Sequence, residues 1–215
     1  MSRIVSFIVL FLVVLPISFI VCDYAIANSP QTLSLRKAKA DLIAKFELLV
    51  PKSMKMCNSE SPWLLGYKVL QSGRIGSGEC FGIGVELLAD ANLYIFMQSG
   101  NGLPIGVLTP NCDGLNLGTY RYKAGSEIRA PIKADGSFGI LELDDNLGDE
   151  WIFAVATGSP MADKHFRQVI DTIGNACESD ESQVVLSVEG FVDLLRNAQA
   201  KTGSLDWKAL AFMHD

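Results

Sequence analysis

Residues 78–161 form a succession of short apolar and aromatic runs, each followed by a sequence typical of a turn. Asn101-Gly102, Asp113-Gly114 and Asp135-Gly136 supply three of these turns. Asn-Gly and Asp-Gly steps tolerate the positive φ angles that tight hairpins require, so consecutive runs are expected to fold back on one another as strands. This stretch therefore predicts an antiparallel β domain.

Seven strands are predicted in this block, over residues 82–88, 93–98, 105–109, 119–123, 127–132, 138–143 and 151–157. In the second of them Leu93 and Ile95 alternate with Tyr94 and Phe96, so both faces of the strand are apolar. Such a strand is expected to be covered on both sides, as in a β-sandwich with an added helix. A shorter alternation over residues 63–71 predicts a strand before the block.

An N-terminal helix is predicted before the strands. Ser29-Pro30 has the residues of a helix start, and Pro51 disfavours helical geometry at Val50. Between them, apolar residues recur at three- and four-residue steps: Leu35, Ala38, Leu42, Phe46 and Leu49.

Two further helices are predicted after the block. Residues 162–177 have helical apolar spacing, and Ser187 can cap a second helix that runs to about residue 197. Gly203 is expected to break that helix, and residues 205–213 have the pattern of a final strand. The predicted fold class is mainly β (α+β): an antiparallel β-sandwich-like domain with an N-terminal helix and two C-terminal helices.

Residues 1–27 have the features of a signal peptide. Arg3 precedes an apolar run over residues 4–21, and Ala25-Ile26-Ala27 gives the small-residue pattern of a cleavage site before Asn28. The predicted organisation is therefore a targeting segment over 1–27, a helix and connector over 28–60, and a β-rich domain over 61–215 with its core at 76–161.

Two alternatives to cleavage follow from the same segment. The run over residues 4–21 is nearly long enough to span a bilayer, which would leave the protein anchored in the inner membrane. Cys22 could suggest a lipoprotein, but the branched Val21 stands where a small residue is required. The predicted location is periplasmic or secreted, with inner-membrane anchoring as the alternative.

Four cysteines follow the targeting segment: Cys57, Cys80, Cys112 and Cys177. An even number in an exported chain predicts two disulfides, for which three pairings are possible. The preferred pairing is Cys57–Cys80 with Cys112–Cys177, and the other two remain open. No C-x-x-C spacing occurs among them, which argues against zinc and thioredoxin-type redox sites.

The loop with Asp144, Asn146, Asp149 and Glu150 is the densest cluster of oxygen ligands in the sequence and a candidate for calcium binding. It lacks the EF-hand spacing, and a solvated acidic hairpin is the preferred interpretation.

No other cofactor or nucleic-acid site is predicted. The glycine-rich segment 73–84 lacks the Gly-Lys-Ser/Thr sequence of a phosphate-binding loop. The net charge is −6, and no lysine or arginine cluster suggests nucleic-acid binding. Ser159, Asp163 and His165 lie too close in sequence to be taken as a catalytic triad.

Several short motifs recur in a fixed order through the block. They are Gly78-Glu79, Leu-Tyr-Ile-Phe at 93–96, Val-Leu-Thr-Pro-Asn at 107–111, Ala124-Gly125 with Pro131, and Gly-Asp-Glu at 148–150 with Ala-Val-Ala-Thr-Gly-Ser-Pro at 154–160. In this order they resemble the bacterial family called domain of unknown function 4384, over residues 76–161. Thr109 departs from the usual phenylalanine. The resemblance implies a sensing or interaction module and supplies no catalytic residue.

The predicted function is therefore that of a non-catalytic module of the cell envelope, which binds another envelope protein or a cell-wall component. The alternative is an exported hydrolase whose site is assembled from residues distant in sequence. That alternative predicts a deep polar pocket containing a perturbed carboxylate or His165.

Cleavage of the targeting segment can be tested directly. We expect the protein purified from its native envelope to begin at Asn28, because Ala25-Ile26-Ala27 fits the signal peptidase. Intact-mass measurement checks this, and a mature protein that retains residues 4–21 would contradict it.

Overall fold

The computed structural model describes residues 41–52, 66–70, 73–98, 105–109, 121–132, 138–143, 145, 147–172 and 187–215. These residues form eleven strands and two helices. In chain order they are β1 (Ile43–Pro51), β2 (Tyr67–Val69), β3 (Arg74–Ile75), β4 (Cys80–Leu87), β5 (Ala91–Gln98), β6 (Gly106–Thr109), β7 (Arg121–Tyr122), β8 (Glu127–Ala130), β9 (Leu141–Glu142), β10 (Gly148–Thr157), α1 (Pro160–Thr172), α2 (Val188–Thr202) and β11 (Leu205–His214).

The strands make two sheets. The outer sheet has the order β2-β1-β4-β8, with β9 also paired to β4, and all of these pairs are antiparallel. The central sheet has the order β3-β11-β10-β5-β6, with β7 also paired to β5. Its pairs are antiparallel except for β3, which runs parallel to β11. The mainly β, α+β class predicted from the sequence is confirmed.

Two cores lie on opposite faces of the central sheet. On one face, side chains such as Leu93 and Ile95 pack with residues of the outer sheet. On the other face, side chains such as Tyr94 and Phe96 pack with the two helices. The fold is therefore a stack of outer sheet, central sheet and helices. Burial of both faces of β5 confirms the prediction made from its sequence.

The last part of the predicted N-terminal helix, up to Val50, lies instead in the strand β1 (Ile43–Pro51). It pairs antiparallel with β4, and the register shifts between Ile43 and Lys45. Phe46 and Leu49 of the predicted apolar stripe are three positions apart on this strand, so they face opposite sides, and both are buried. Burial on both faces of a strand can thus resemble helical spacing, and the predicted element was wrong. The predicted helix residues before position 41 lie outside the described part of the chain.

Helix α2 begins and ends as its sequence predicted. At the start of α2, the Ser187 hydroxyl accepts a hydrogen bond from the Gly190 N–H at 3.1 Å. At its end, Gly203 has a φ of 64° and donates its N–H to the Gln199 carbonyl. That left-handed conformation favours glycine, so the break was predicted for the right reason.

Aromatic rings join the helices to the central sheet. Phe166 of α1 and Phe191 of α2 are fully buried. The Phe191 ring centroid lies 5.4 Å from that of Phe96 and 4.9 Å from that of Phe153, in edge-to-face arrangements. Such pairs add roughly 0.5–1.5 kcal/mol each to the free energy gained from burial.

Neighbouring leucines on α2 provide a matched test of this packing. Leu195 is fully buried in the helix–sheet core, whereas Leu194 is only partly buried. We expect Leu195→Ala to lower the free energy of unfolding by about 2–5 kcal/mol, because it leaves a cavity. Leu194→Ala should cost at most about half as much. Urea unfolding measures both, and equal losses would contradict the described orientation of α2.

Candidate functional site

A groove of about 410 Å³ runs between α1 and α2 on the surface. It is lined by His165, Gln168, Val169, Leu194, Asn197, Ala198 and Lys201. The buried Val169 and Ala198 form part of its floor. Helical periodicity produces this arrangement, because residues three or four positions apart share a helix face.

The rim of this groove is polar and carries positive charge. Lys201 is exposed and His165 is half-buried, and neither has an ion-pair partner among the described residues. Lys201 presents an ammonium group, while His165 and the Asn197 amide offer hydrogen-bond donors. An apolar floor with donors on its rim suits a ligand that has both an apolar portion and a carboxylate.

Ser159, Asp163 and His165 do not form a catalytic triad. The Ser159 hydroxyl hydrogen-bonds to that of Ser204 at 2.6 Å and accepts the Ala162 N–H. His165 lines the groove. The three residues therefore have separate partners, as their close sequence spacing suggested.

Asp163 is the acceptor of a polar cluster at the start of α1. It receives hydrogen bonds from the Tyr94 hydroxyl, the Asn92 amide at 3.0 Å, the Thr157 hydroxyl at 3.1 Å and Arg167 Nε at 3.1 Å. These donors come from β5, β10 and α1 itself. The cluster thus fixes the start of α1 to the paired ends of β5 and β10 in the central sheet.

The electrostatics of this cluster follow from its donors. Burial alone would raise the pKa of Asp163, but the hydrogen bonds from Tyr94, Arg167 and Asn92 outweigh it and hold the pKa below the ordinary 3.8. Burial, with the hydrogen bond to Asp163, raises the pKa of Tyr94. Both shifts favour a tyrosine hydroxyl that donates to an ionised carboxylate, which is a structural role.

A second polar cluster lies at the far end of β10 and β11. Glu150 and His214 project from these strands into the space between the two sheets, and both side chains are fully buried. His214 Nδ1 lies 3.6 Å from Glu150 Oε1, and His214 Nε2 lies 3.0 Å from the Ser77 hydroxyl. Ser77 is exposed. A serine, a histidine and a carboxylate thus lie in line from the surface inwards.

Sequence reasoning missed this cluster because its members are far apart in the chain. Ser77 and His214 are separated by 137 positions. Glu150 was grouped with the acidic loop, since no local pattern marks it as buried. The apolar run over residues 151–156, which follows Glu150 directly on β10, was the available hint, because a carboxylate that enters such a buried strand needs a polar partner.

Two of the candidate calcium ligands, Asp149 and Glu150, point to opposite faces of β10. Asp149 is exposed and Glu150 is buried, because successive residues of a strand face opposite sides. Asp144 and Asn146 lie outside the described residues, so calcium binding by the loop remains a prediction. Among the described residues, no group of three or more His, Cys, Asp and Glu side chains could hold a metal ion.

Cys80 is buried in β4 and is disulfide-bonded. Cys57, Cys112 and Cys177, the other predicted partners, lie outside the described residues. The preferred pairing of Cys57 with Cys80 therefore remains a prediction.

Comparison with protein-family models gives no match, and comparison with curated proteins gives none either. The resemblance noted over residues 76–161 therefore remains a prediction. Within the described ranges, no helix has both the length and the apolar character needed to cross a membrane.

The Asp163 cluster gives a pH-dependent prediction. We expect Asp163→Asn to lower the free energy of unfolding by about 1–3 kcal/mol at neutral pH, because buried donors lose their carboxylate. The folded pKa of Asp163 lies below 3.8, so its contribution is present above that pH and is lost as the pH falls through the folded value. The difference between variant and wild type should therefore shrink in acid.

Asp193 on α2 is the matched control. It forms an ion pair with Arg196 at 2.9 Å on the exposed surface. Such exposed ion pairs contribute little to the free energy of unfolding. Asp193→Asn should change stability by less than about 0.5 kcal/mol. Equal effects of the two substitutions in denaturant melts across pH would refute a special role for Asp163.

Proposed function

We propose that this protein is an exported module of the cell envelope that recognises a carboxylate-bearing peptide in the groove between α1 and α2, without transforming it. Such peptides occur in cell walls and in acidic segments of envelope proteins. The observation that carries the proposal is the groove itself, which combines an apolar floor with the cation of Lys201, for which the described part of the chain supplies no ion-pair partner.

The size of the groove supports this class of ligand. Pockets for small ligands commonly enclose about 300–1,000 Å³, and this groove lies in the lower part of that range. It is partly open to solvent, so a ligand can reach the lining residues from outside. A short peptide that places one apolar side chain against Val169 and Leu194 would fill it.

Charge explains the expected preference for an acid. The whole chain has a net charge of −6, which disfavours anionic ligands at long range. Within the groove, Lys201 and the hydrogen-bond donors of His165 and Asn197 favour an anionic ligand. They outweigh the long-range repulsion, because charges interact mainly at short range in salt. Binding should therefore be of moderate strength and should weaken as salt is added.

Recognition also requires that the groove be held rigidly, and the two helices that form it are packed on the central sheet. Both are fixed on the central sheet by fully buried phenylalanines, and α1 is fixed again by the Asp163 cluster. A groove built on packed helices keeps its side chains in place before the ligand arrives, which reduces the entropy lost on binding.

Binding can be tested with soluble cell-wall peptides and with a synthetic acidic peptide of similar length, followed by amide NMR titration. We expect shifts confined to residues of the groove. Lys201→Gln should weaken binding about two- to fivefold, because it removes one partly exposed ionic contact. A preference for one of the two probes identifies the source of the ligand.

Lys164→Gln is the matched control, because Lys164 is an exposed lysine of α1 that does not line the groove. Both substitutions change the net charge equally, so only a local effect separates them. If Lys164→Gln weakens binding as much as Lys201→Gln, or if neither probe shifts the groove residues, the proposal is wrong.

A further inference from the structure

The exposed turn that carries Ser77 is held in place by backbone hydrogen bonds. The Ser77 N–H donates to the Asp215 carbonyl at 3.2 Å, and the Gly78 N–H donates to the Leu143 carbonyl at 3.0 Å. Gly78 has a φ of 74°, and apart from its two chain neighbours no heavy atom lies within 4 Å of the position that a Cβ would occupy there. The backbone of the turn is thus held in place, and Ser77 is exposed at the surface.

His214 lies directly beneath this turn. Its Nε2 is 3.0 Å from the Ser77 hydroxyl, and its Nδ1 faces Glu150 Oε1 at 3.6 Å. A carboxylate on the Nδ1 side favours the tautomer with the proton on Nδ1. Nε2 is then left as an acceptor for the serine proton. The distance to Glu150 is longer than a hydrogen bond, but such contacts are often loose in the absence of substrate.

We infer that Ser77 is a nucleophile activated by His214, with Glu150 as the positioning residue, and that it accepts acyl groups from activated carboxylic esters. A nucleophile and a base within hydrogen-bond reach, with the base oriented by a third group, is the arrangement that such chemistry requires. This site is built from other residues than the groove, so the inference goes beyond the proposed recognition function and does not depend on it.

The proposed reaction is hydrolysis of an ester through an acyl-serine, with water as the second reactant. Ser77 Oγ forms a bond to the ester carbonyl carbon while its proton passes to His214 Nε2. The bond from carbon to the leaving oxygen then breaks, and His214 returns the proton to that oxygen, which leaves as an alcohol. Water next attacks the acyl-serine and gives a proton to His214, which passes it to Ser77 as the carboxylic acid departs.

The class of substrate follows from the backbone donors of the turn. All four N–H groups of residues 76–79 already donate: to Glu79 Oε2, the Asp215 carbonyl, the Leu143 carbonyl and the Gly76 carbonyl. None of them is available as a preformed oxyanion hole, and loss of one such donor commonly costs about 10²–10³ in rate. Esters with good leaving groups should therefore react, and amides should not.

The experiment treats the folded protein with 4-nitrophenyl acetate and locates acetylated serines by peptide mass mapping. We expect Ser77 to be acetylated about 100-fold faster than Ser126, since general-base assistance commonly contributes a factor of that order. Ser126 is the internal control, because like Ser77 it is next to a positive-φ glycine, here Gly125. Equal acetylation of the two serines in wild-type protein would overturn the inference without any variant.

Variants then assign the roles. Ser77→Ala should abolish the fast acetylation, and Ser126→Ala should leave it unchanged. His214→Gln should slow it about 100-fold in protein whose melting curve shows that it is folded. Unchanged acetylation in folded His214→Gln would exclude His214 as the base.

The role of Glu150 has a spectroscopic readout. Nitrogen-15 NMR of the His214 ring should show the proton on Nδ1 in wild type and a mixture of tautomers in Glu150→Gln. The same variant should slow acetylation of Ser77. A His214 ring with the proton on Nε2 in wild type would contradict the mechanism, because Nε2 could not then accept the serine proton.

Discussion

Burial of both faces of the central sheet is the constraint on which the rest of the structure depends. Its strands β5, β10 and β11 face the outer sheet on one side and the helices on the other, so most of their residues are apolar whichever face they point to. Each layer alone would expose a wide apolar surface. The outer sheet and the helices are held in the fold because they cover the two faces of the same sheet.

A layer buried on both sides tolerates polar groups only where they are paired. Asp206 of β11 accepts the N–H groups of Leu42 and Ile43 at 2.8 and 2.9 Å and so ties the start of β1 to the central sheet. Burial raises the pKa of Asp206, although those two hydrogen bonds oppose the shift. A raised pKa means that the fold binds this proton more tightly than the unfolded chain, so the contribution of Asp206 to stability grows as the pH falls.

The same architecture separates two kinds of surface. The helices turn one set of residues to the sheet and leave another set to line the groove, which supports the proposed recognition of carboxylate-bearing peptides. At the end of β10 and β11 the alternation instead directs Glu150 and His214 between the sheets, where the turn carrying Ser77 meets them. Recognition and nucleophilic chemistry would therefore use different faces of a single support.

The sequence by itself determined the features that depend on neighbouring residues. These include the two-faced pattern of β5, the cap at Ser187 and the break at Gly203, because alternation, capping and positive φ are local properties. Only the tertiary structure decided that Ile43–Pro51 is a strand, since residues buried on its two opposite faces, such as Phe46 and Leu49, also fit a helical spacing. It alone also brought Ser77 to His214 across 137 positions, because strand pairing between distant segments leaves no local trace in the chain.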